Sequence, residues 1–161
     1  MTRRQTLLIG LLALAAVAAV LAVVLLANRL GDVRDEEARR QEILQTARQQ
    51  GVNITTLDYQ TVDQDLRRVL ELSTGTFRKE FRAGTKDLTD LVVKNKAVST
   101  GEVLEAGIVT ADSDSARVLV VADSTVSNGA SAQPQVRHYR MQLDMVRRGD
   151  RWLTSTLTFV S

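Results

Sequence analysis

Cysteine is absent from this chain of 161 residues, and histidine occurs once, as His138. Without cysteine the protein cannot form a disulfide, a thiol nucleophile or a thiolate metal site. A single histidine among scattered acids offers no recognised ligand spacing, which argues against a metal site. Aromatic residues are also scarce, with three Phe, two Tyr and one Trp, and this argues against a large cavity lined by rings. We therefore expect no metal and no other cofactor.

The chain also lacks a charge imbalance once its N-terminus is set aside. The whole sequence holds 21 basic and 19 acidic residues and has a net charge of +2 at pH 7. Residues 1–29 contribute three arginines and no acid, which leaves 18 basic and 19 acidic residues in the remainder. Because nucleic-acid-binding domains carry a basic footprint, the sequence predicts no nucleic-acid partner.

An uncharged apolar run from Leu7 to Ala27 is the most distinctive feature that is present. A helix of this length reaches about 31 Å, enough to cross a hydrocarbon core of about 30 Å. A cleaved signal peptide would have a shorter apolar region, followed by a polar stretch with the cleavage site. We therefore predict an uncleaved transmembrane anchor over residues 1–28.

Arginines flank the predicted anchor at both ends, so the positive-inside rule alone does not orient it. Arg3 and Arg4 lie immediately before the helix and favour a cytoplasmic N-terminus, and long domains are translocated largely regardless of charge. We expect a single-pass protein of the cell membrane with a cytoplasmic N-terminus and an extracytoplasmic C-terminal domain. Two alanine pairs at small-xxx-small spacing, Ala15/Ala19 and Ala18/Ala22, would let another membrane helix approach closely, including one from a second copy.

Residues 29–50 have the pattern of a charged helix that leaves the membrane. Acid-before-base pairs four residues apart support an exposed helix over residues 35–40. Gly51 is predicted to end this helix. The sequence thus predicts a stalk over residues 29–50 that joins a domain over residues 51–161. The stalk offers one apolar patch for docking, formed by Ile43, Leu44 and Ala47.

A short extended piece at residues 52–57 is followed by a helical segment. Gly75 interrupts this segment, so one kinked helix and two separate helices both fit. We expect its apolar residues to pack in the core, because they recur at spacings of three and four. These residues are Val62, Leu66, Val69, Leu70, Phe77 and Phe81, and a further helical stretch to about Lys96 carries Leu88, Leu91 and Val92.

The hydrophobic period then changes from 3.6 to 2, which predicts four strands. They are Glu102–Val109, Ala116–Val126, Val136–Arg147 and Arg151–Val160. Short, turn-rich connections indicate an antiparallel meander, and the preceding helices must cover one face of it. The predicted class is α+β, with helices packed on a four-stranded antiparallel sheet.

Alternation along the last two strands assigns their faces. One face of the third strand carries Tyr139, Met141, Leu143 and Met145, and the other carries His138, Arg140, Gln142 and Asp144. The apolar side of the fourth strand is predicted to carry Leu153, Leu157 and Phe159.

Several stretches resemble the Mce-associated membrane proteins of actinobacteria. In the helical region they are residues 57–65, LDYQTVDQD, and residues 74–81, TGTFRKEF. Residues 139–141, YRM, followed by residues 149–153, GDRWL, are similar to the close of the same family. The resemblance covers anchor, charged helix, helical segment and strands, and it rests on this ordered set rather than on one motif.

The resemblance implies an NTF2-like cone, similar also to the periplasmic domains of VirB8-type secretion components. It further implies a non-enzymatic accessory or assembly role in Mce systems, which transport lipids or sterols across the cell envelope. The implied partners are Mce transporter subunits and their permease. Trp152 and Tyr139 are carried over as core residues only.

Two alternatives to the Mce role stay open. One is a VirB8-like scaffold of a secretion apparatus. The other is an NTF2-like module that binds a lipid in its apolar interior. Phe77, Phe81, Met141 and Met145 either fill the cone or leave it open. We expect a filled cone.

An NTF2-like enzyme would need a carboxylate or histidine base inside the cone. His138 and Asp144 fall on the polar face, away from it. Near the helical segment Asp58, Tyr59, Asp63 and Asp65 are the remaining candidates, and the last two are explained as residues of a helix N-terminus. We therefore predict no catalytic residue and no enzyme.

Two short matches have ordinary interpretations. Arg148-Gly149-Asp150 spells an adhesion tripeptide, but a Gly-Asp pair between two strands is typical of a hairpin turn. Asn53-Ile54-Thr55 fits the glycosylation acceptor pattern, which three residues often match by chance.

Overall fold

The computed structural model of the chain describes residues 34–129 and 131–160. The chain divides into two units, residues 1–39 and residues 40–161. In the first unit residues 34–39 are helical, and the predicted anchor over residues 1–28 lies outside the described residues. Across the described ranges, no helix combines the length and the apolar character that a membrane span requires.

The second unit is an α+β domain with its helices first, as the sequence predicts. Helix α1 covers residues 40–55 of this unit. The later elements are β1 (Leu57–Asp58), α2 (Val62–Glu71), α3 (Gly75–Lys94), β2 (Val98–Ala111), β3 (Ser115–Asn128), β4 (Ser131–Arg148) and β5 (Arg151–Phe159). The strands form one sheet in the order β1-β2-β3-β4-β5, and each neighbouring pair is antiparallel.

The predicted count of four strands is wrong, because β1 adds a fifth. Its two residues pair with Ser99 and Val98 at the start of β2. Such a short strand has no alternating pattern of its own, so the period-2 signal could not reveal it. The meander order of the four longer strands agrees with the prediction, but β2 begins at Val98 rather than at Glu102 and β4 at Ser131 rather than at Val136.

The predicted end of the first helix at Gly51 is also wrong, since α1 continues to residue 55 and leaves no extended piece at residues 52–57 beyond β1. Gly51 is a packing residue. A Cβ atom there would lie 2.9 Å from Val103 Cγ2 and 3.0 Å from Val120 Cγ1. Because glycine is common both at helix ends and at close contacts, the residue type alone favoured the wrong alternative.

At Gly75 the structure has two separate helices, one of the two alternatives that the sequence left open. Gly75 has a φ of +55°, a conformation that glycine adopts readily. The link before it is attached to the edge of β5, because the Thr74 N–H donates to the Thr154 carbonyl and the Thr154 N–H donates to the Leu72 carbonyl, both at 2.8 Å. The stretch around Leu88 belongs to α3, which ends at Lys94.

Helix α1 packs against one face of the sheet, where the main hydrophobic core lies. The predicted docking patch on α1 is confirmed, with Ile43 and Ala47 fully buried and Leu44 packed beside them. The predicted inward face of β4 is confirmed as well. Its buried members are Met141, Leu143 and Met145, and they pack with Val118 and Val120 of β3 and with Trp152 of β5.

The predicted face of β5 is wrong for its first half. Trp152 and Thr154 are buried there, so Leu153 between them lies on the opposite face. A β-bulge places Ser155 between Thr154, which pairs with Met145, and Thr156, which pairs with Asp144. Because one extra residue reverses the alternation, Leu157 returns to the core side opposite Leu143.

A second, smaller core joins α2, α3 and β1. Its buried residues are Val62, Leu66 and Val92, with Leu57, Tyr59, Phe81, Leu88 and Ala97 packed against them. Phe77 and Phe81 contact each other with ring centroids 5.7 Å apart. The predicted stripe is wrong at Leu91, which is 58% exposed.

Candidate interaction surface

The two polar candidates on β4 lie on the exposed face of the sheet, as predicted, and each pairs with the residue directly across on β3. His138 Nδ1 lies 2.7 Å from Asp123 Oδ1. Asp144 accepts hydrogen bonds from Arg117 Nε at 2.7 Å and from Arg117 Nη2 at 3.2 Å. The hydrogen bond and the charge of Asp144 raise the pKa of Arg117. These contacts are cross-strand pairs that support the sheet.

The acidic candidates near α2 have structural roles at the start of that helix. Asp63 and Asp65 lie in the first turn of α2, as predicted. Asp65 is 2% exposed, accepts the backbone N–H of Asp58 at 2.8 Å and forms an ion pair with Arg68. Tyr59 packs in the second core. The Asp65 carboxylate therefore binds the backbone N–H of Asp58, and this hydrogen bond fixes the turn between β1 and α2.

The space between α1 and the sheet is filled by side chains. Met141, Leu143, Met145, Val118 and Val120 are each no more than 1% exposed. This is the filled interior that we expected from the sequence, although Phe77 and Phe81 lie on α3 rather than in it. Within the described ranges, no three histidine, aspartate or glutamate side chains are grouped so that they could hold a metal ion.

The two short matches take ordinary structural roles. Gly149 and Asp150 form the turn between β4 and β5, with a φ of +60° at Gly149. Asn53 is 6% exposed on α1, where its side chain donates to the Arg68 carbonyl and accepts from Gln49 Nε2. A buried, hydrogen-bonded Asn53 is a poor acceptor for a glycan.

A groove between α2 and α3, with a volume of about 370 Å³, is lined by charges of both signs. Lys86 Nζ lies 2.6 Å from Asp90 Oδ2 within it, and this contact raises the pKa of Lys86. Asp63 and Arg67 also line the groove. Since Lys86 pairs with Asp90, and Asp63 and Arg67 carry opposite charges, the lining of the groove has no net charge.

Large apolar side chains are instead exposed on the sheet. On its outer face and margins five side chains are between 42% and 57% exposed, namely Leu104, Val109, Leu119, Val136 and Phe159. Leu104 and Val109 occupy the bulges of β2, where the ladder with β3 shifts register. None of the five was predicted to be exposed, and Phe159 was expected on the apolar side of its strand, because exposed and buried apolar residues look alike in an alternating pattern.

The open edge of β2 is protected by side chains. The Gly101 N–H donates to Thr56 Oγ1 at 3.0 Å, and the Ala106 N–H donates to Glu105 Oε1 at 2.9 Å. Arg48 holds the same carboxylate at 2.8 Å. Bulges and capped amides are common devices that prevent a second strand from pairing with an edge.

The opposite margin of the sheet has an open edge of a different kind. Strand β4 is longer than β5, and their ladder ends where Met141 pairs with Phe159. One further bond follows, from the Val160 N–H to the Arg140 carbonyl at 2.9 Å. We call residues 135–140 the β4 edge. Beside it lies a cavity of about 280 Å³ lined by His138, Tyr139, Arg140, Phe159 and Val160.

A protein-family model described as "Uncharacterized protein Rv1363c/MT1408-like" matches residues 5–161. A relative, "Uncharacterized protein Rv1363c" from Mycobacterium tuberculosis (strain ATCC 25618 / H37Rv), is 29% identical over 167 residues. The match covers 98% of this chain and 64% of the relative, so the chain spans less than two thirds of that relative's length.

Solved structures with a similar fold come from type IV secretion systems. An IcmL-like type IV secretion system protein from Legionella pneumophila has a TM-score of 0.61 at 15% identity, over 76% of this chain and 94% of that one. CagV, a VirB8 homolog from Helicobacter pylori strain 26695, has a TM-score of 0.60 at 3% identity, over 74% of this chain and 97% of that one.

At these identities the likeness is one of fold, and it confirms VirB8-type domains as the fold relatives that the sequence predicts. The family match does not mention Mce transport, so that finer assignment stays a prediction. Over residues 5–161 the chain belongs to the Rv1363c/MT1408-like family.

Proposed function

We propose that this chain is a non-enzymatic scaffold subunit of a cell-envelope assembly of the VirB8-like secretion type. In this proposal residues 1–28 anchor it in the cell membrane, and the domain lies on the extracytoplasmic side. Its task is to hold other subunits in place through its surface. The similarity of fold to an IcmL-like protein and to CagV supports this type of assembly.

The observation that carries the proposal is the distribution of apolar and polar side chains over the sheet. The face toward α1 is closed by packed side chains, whereas Leu119, Val136 and Phe159 are exposed. The polar candidates His138 and Asp144 each pair with a side chain of β3. A domain with a filled interior and an apolar, accessible margin is suited to protein contacts rather than to chemistry on a small molecule.

A second candidate is an accessory subunit of a Mce-type lipid or sterol transporter. The motifs at residues 57–65, 74–81 and 149–153 favour it, because they resemble Mce-associated proteins. The scaffold role is the same in both candidates, and the partners differ. The lipid-binding alternative is disfavoured by the buried side chains of Met141 and Met145, which occupy the interior that a lipid tail would need.

Affinity purification of the full-length protein from mildly solubilised native membranes tests this proposal. We expect the subunits of one envelope complex to co-purify, and mass spectrometry identifies them as secretion components or as Mce subunits with their permease. Recovery of secretion components supports the first candidate, and recovery of Mce subunits supports the second. Purification of the protein without any other subunit, and with lipid bound, would contradict the scaffold role.

A further inference from the structure

We propose that the β4 edge accepts an extended, acidic segment of a partner protein as an additional strand of the sheet. This inference rests on the proposed scaffold function and names the surface and the partner chemistry. It follows from the open ladder, the adjoining cavity and the charges at this margin.

The first observation is the open ladder. In an antiparallel sheet the N–H and C=O of one residue point to the same side, and the side alternates along the strand. The Arg140 carbonyl faces β5, because it accepts the Val160 N–H. The backbone groups of His138 and Val136 therefore face the same side, beyond the end of β5. They offer an incoming strand the donors and acceptors that β5 uses farther along β4.

Pro134 sets the far limit of this edge. Proline has no N–H and is tolerated in a strand chiefly where one side is unpaired. Its presence in β4 agrees with an edge that is open toward solvent on the β5 side. The usable edge is thus short, which suits a segment of about four to six residues.

The second observation is the cavity beside the open ladder. Phe159 is 57% exposed and Val160 is 38% exposed, and both line the space of about 280 Å³ next to Tyr139. The Phe159 ring contacts the Tyr139 ring with centroids 5.9 Å apart, so one wall of the cavity is aromatic. One apolar side chain of an added strand would fill this space while alternate side chains remain in solvent.

The third observation is charge. The β4 edge reads QVRHYR and contains no acidic residue. Arg137 and Arg140 make no ion pair within residues 34–129 and 131–160, whereas His138 is occupied by Asp123. By alternation the two arginines lie on opposite faces of the strand. Because both faces of the edge carry an arginine and neither carries an acid, an acidic partner segment complements it.

The test uses the full-length chain in lipid nanodiscs and two labelled, blocked hexapeptides. One alternates glutamate with valine and carries a central phenylalanine, and the other has lysine in place of glutamate. Fluorescence anisotropy gives the two affinities. Glutamates that alternate with valine lie on one face of the added strand and therefore meet one of the two arginines. We expect the glutamate peptide to bind about threefold more tightly, the size expected of one exposed ion pair.

Three variants define the mechanism. Arg137→Glu with Arg140→Glu should reverse the peptide preference, whereas Arg82→Glu with Arg148→Glu, the same charge change elsewhere on the surface, should leave it unchanged. Val136→Pro should weaken both peptides, because it removes an N–H from the open edge. Circular dichroism and Trp152 fluorescence verify that each variant is folded.

Equal binding of both peptides, or a preference that survives reversal at Arg137 and Arg140, would overturn the inference. Co-purification of envelope subunits with the Arg137→Glu/Arg140→Glu protein at wild-type levels would overturn it too, and the scaffold function would stand. If no envelope subunit co-purifies even with the wild-type protein, the scaffold function itself is contradicted.

Discussion

Glu105 links the edge of β2 to α1. Its carboxylate accepts the Ala106 N–H at 2.9 Å and forms an ion pair with Arg48 at 2.8 Å. The backbone hydrogen bond and then the Arg48 contact lower the pKa of Glu105 below its ordinary value of 4.5. The same group therefore caps an edge amide and joins a helix to the sheet.

The sign of the pH dependence at Glu105 follows from this shift. A carboxylate whose folded pKa is depressed stabilises the fold above its unfolded pKa, near 4.5, and this contribution is lost as the pH falls through the folded pKa. We expect Glu105→Gln to lower the urea midpoint at pH 7 and to have a smaller effect at pH 3. Glu102→Gln, on the same strand, is the control. An equal loss at both pH values would refute the assignment.

Gln50 and Asn53 show what single residues could not predict. Both are buried, and Gln50 Nε2 donates to the Val69 carbonyl at 3.2 Å and to Ser73 Oγ at 3.1 Å. Glutamine and asparagine are mostly exposed in proteins, so their residue types alone favoured an exposed position at the end of the stalk. The available signal was spacing, because Gln50 continues the helical face of Ile43 and Ala47.

At the scale of elements, two helices each contain a glycine, and the space around the two glycines differs. Gly51 of α1 lies against Val103 and Val120, whereas a Cβ at Gly84 of α3 would meet no atom within 4 Å. The first position is closed by packing and the second is open. One substitution at each position therefore separates helix propensity from packing.

We expect Gly51→Leu to lower the free energy of unfolding by about 1–3 kcal/mol, because extra carbons must displace β-branched neighbours. Gly84→Leu should raise it by about 0.5–1 kcal/mol through helix propensity alone. Urea denaturation followed by circular dichroism measures both. If both variants were stabilised, the close packing of α1 on the sheet would be wrong.

The strands were predictable where the period-2 pattern is unbroken. The inward face of β4 and the turn at Gly149-Asp150 follow from alternation and turn chemistry. The face of β5 was not predictable, since a bulge at Ser155 leaves no mark in residue type. The start of β4 was placed at Val136 rather than at Ser131, because Pro134 and its polar neighbours are typical of a loop.

At the scale of the whole molecule, the candidate interaction surface was harder to predict from sequence than the core. Burial forces apolar residues into periodic patterns, so the α+β class and the filled interior could be inferred from sequence. The β4 edge exists because β4 extends past β5, and this depends on strand lengths and register rather than on a motif. Fold likeness identifies relatives of the architecture but not the partners of this chain.

The central claim is that this domain acts through the exposed margin of its sheet. Site-specific photo-crosslinking in living cells tests it most directly, with a photoreactive amino acid at Val136 and, as a control, at the exposed Arg82 of α3. We predict a discrete protein adduct from position 136, identified by mass spectrometry as a subunit of one envelope complex, and none from position 82. Adducts of equal yield from both positions, or no protein adduct from position 136, would contradict it.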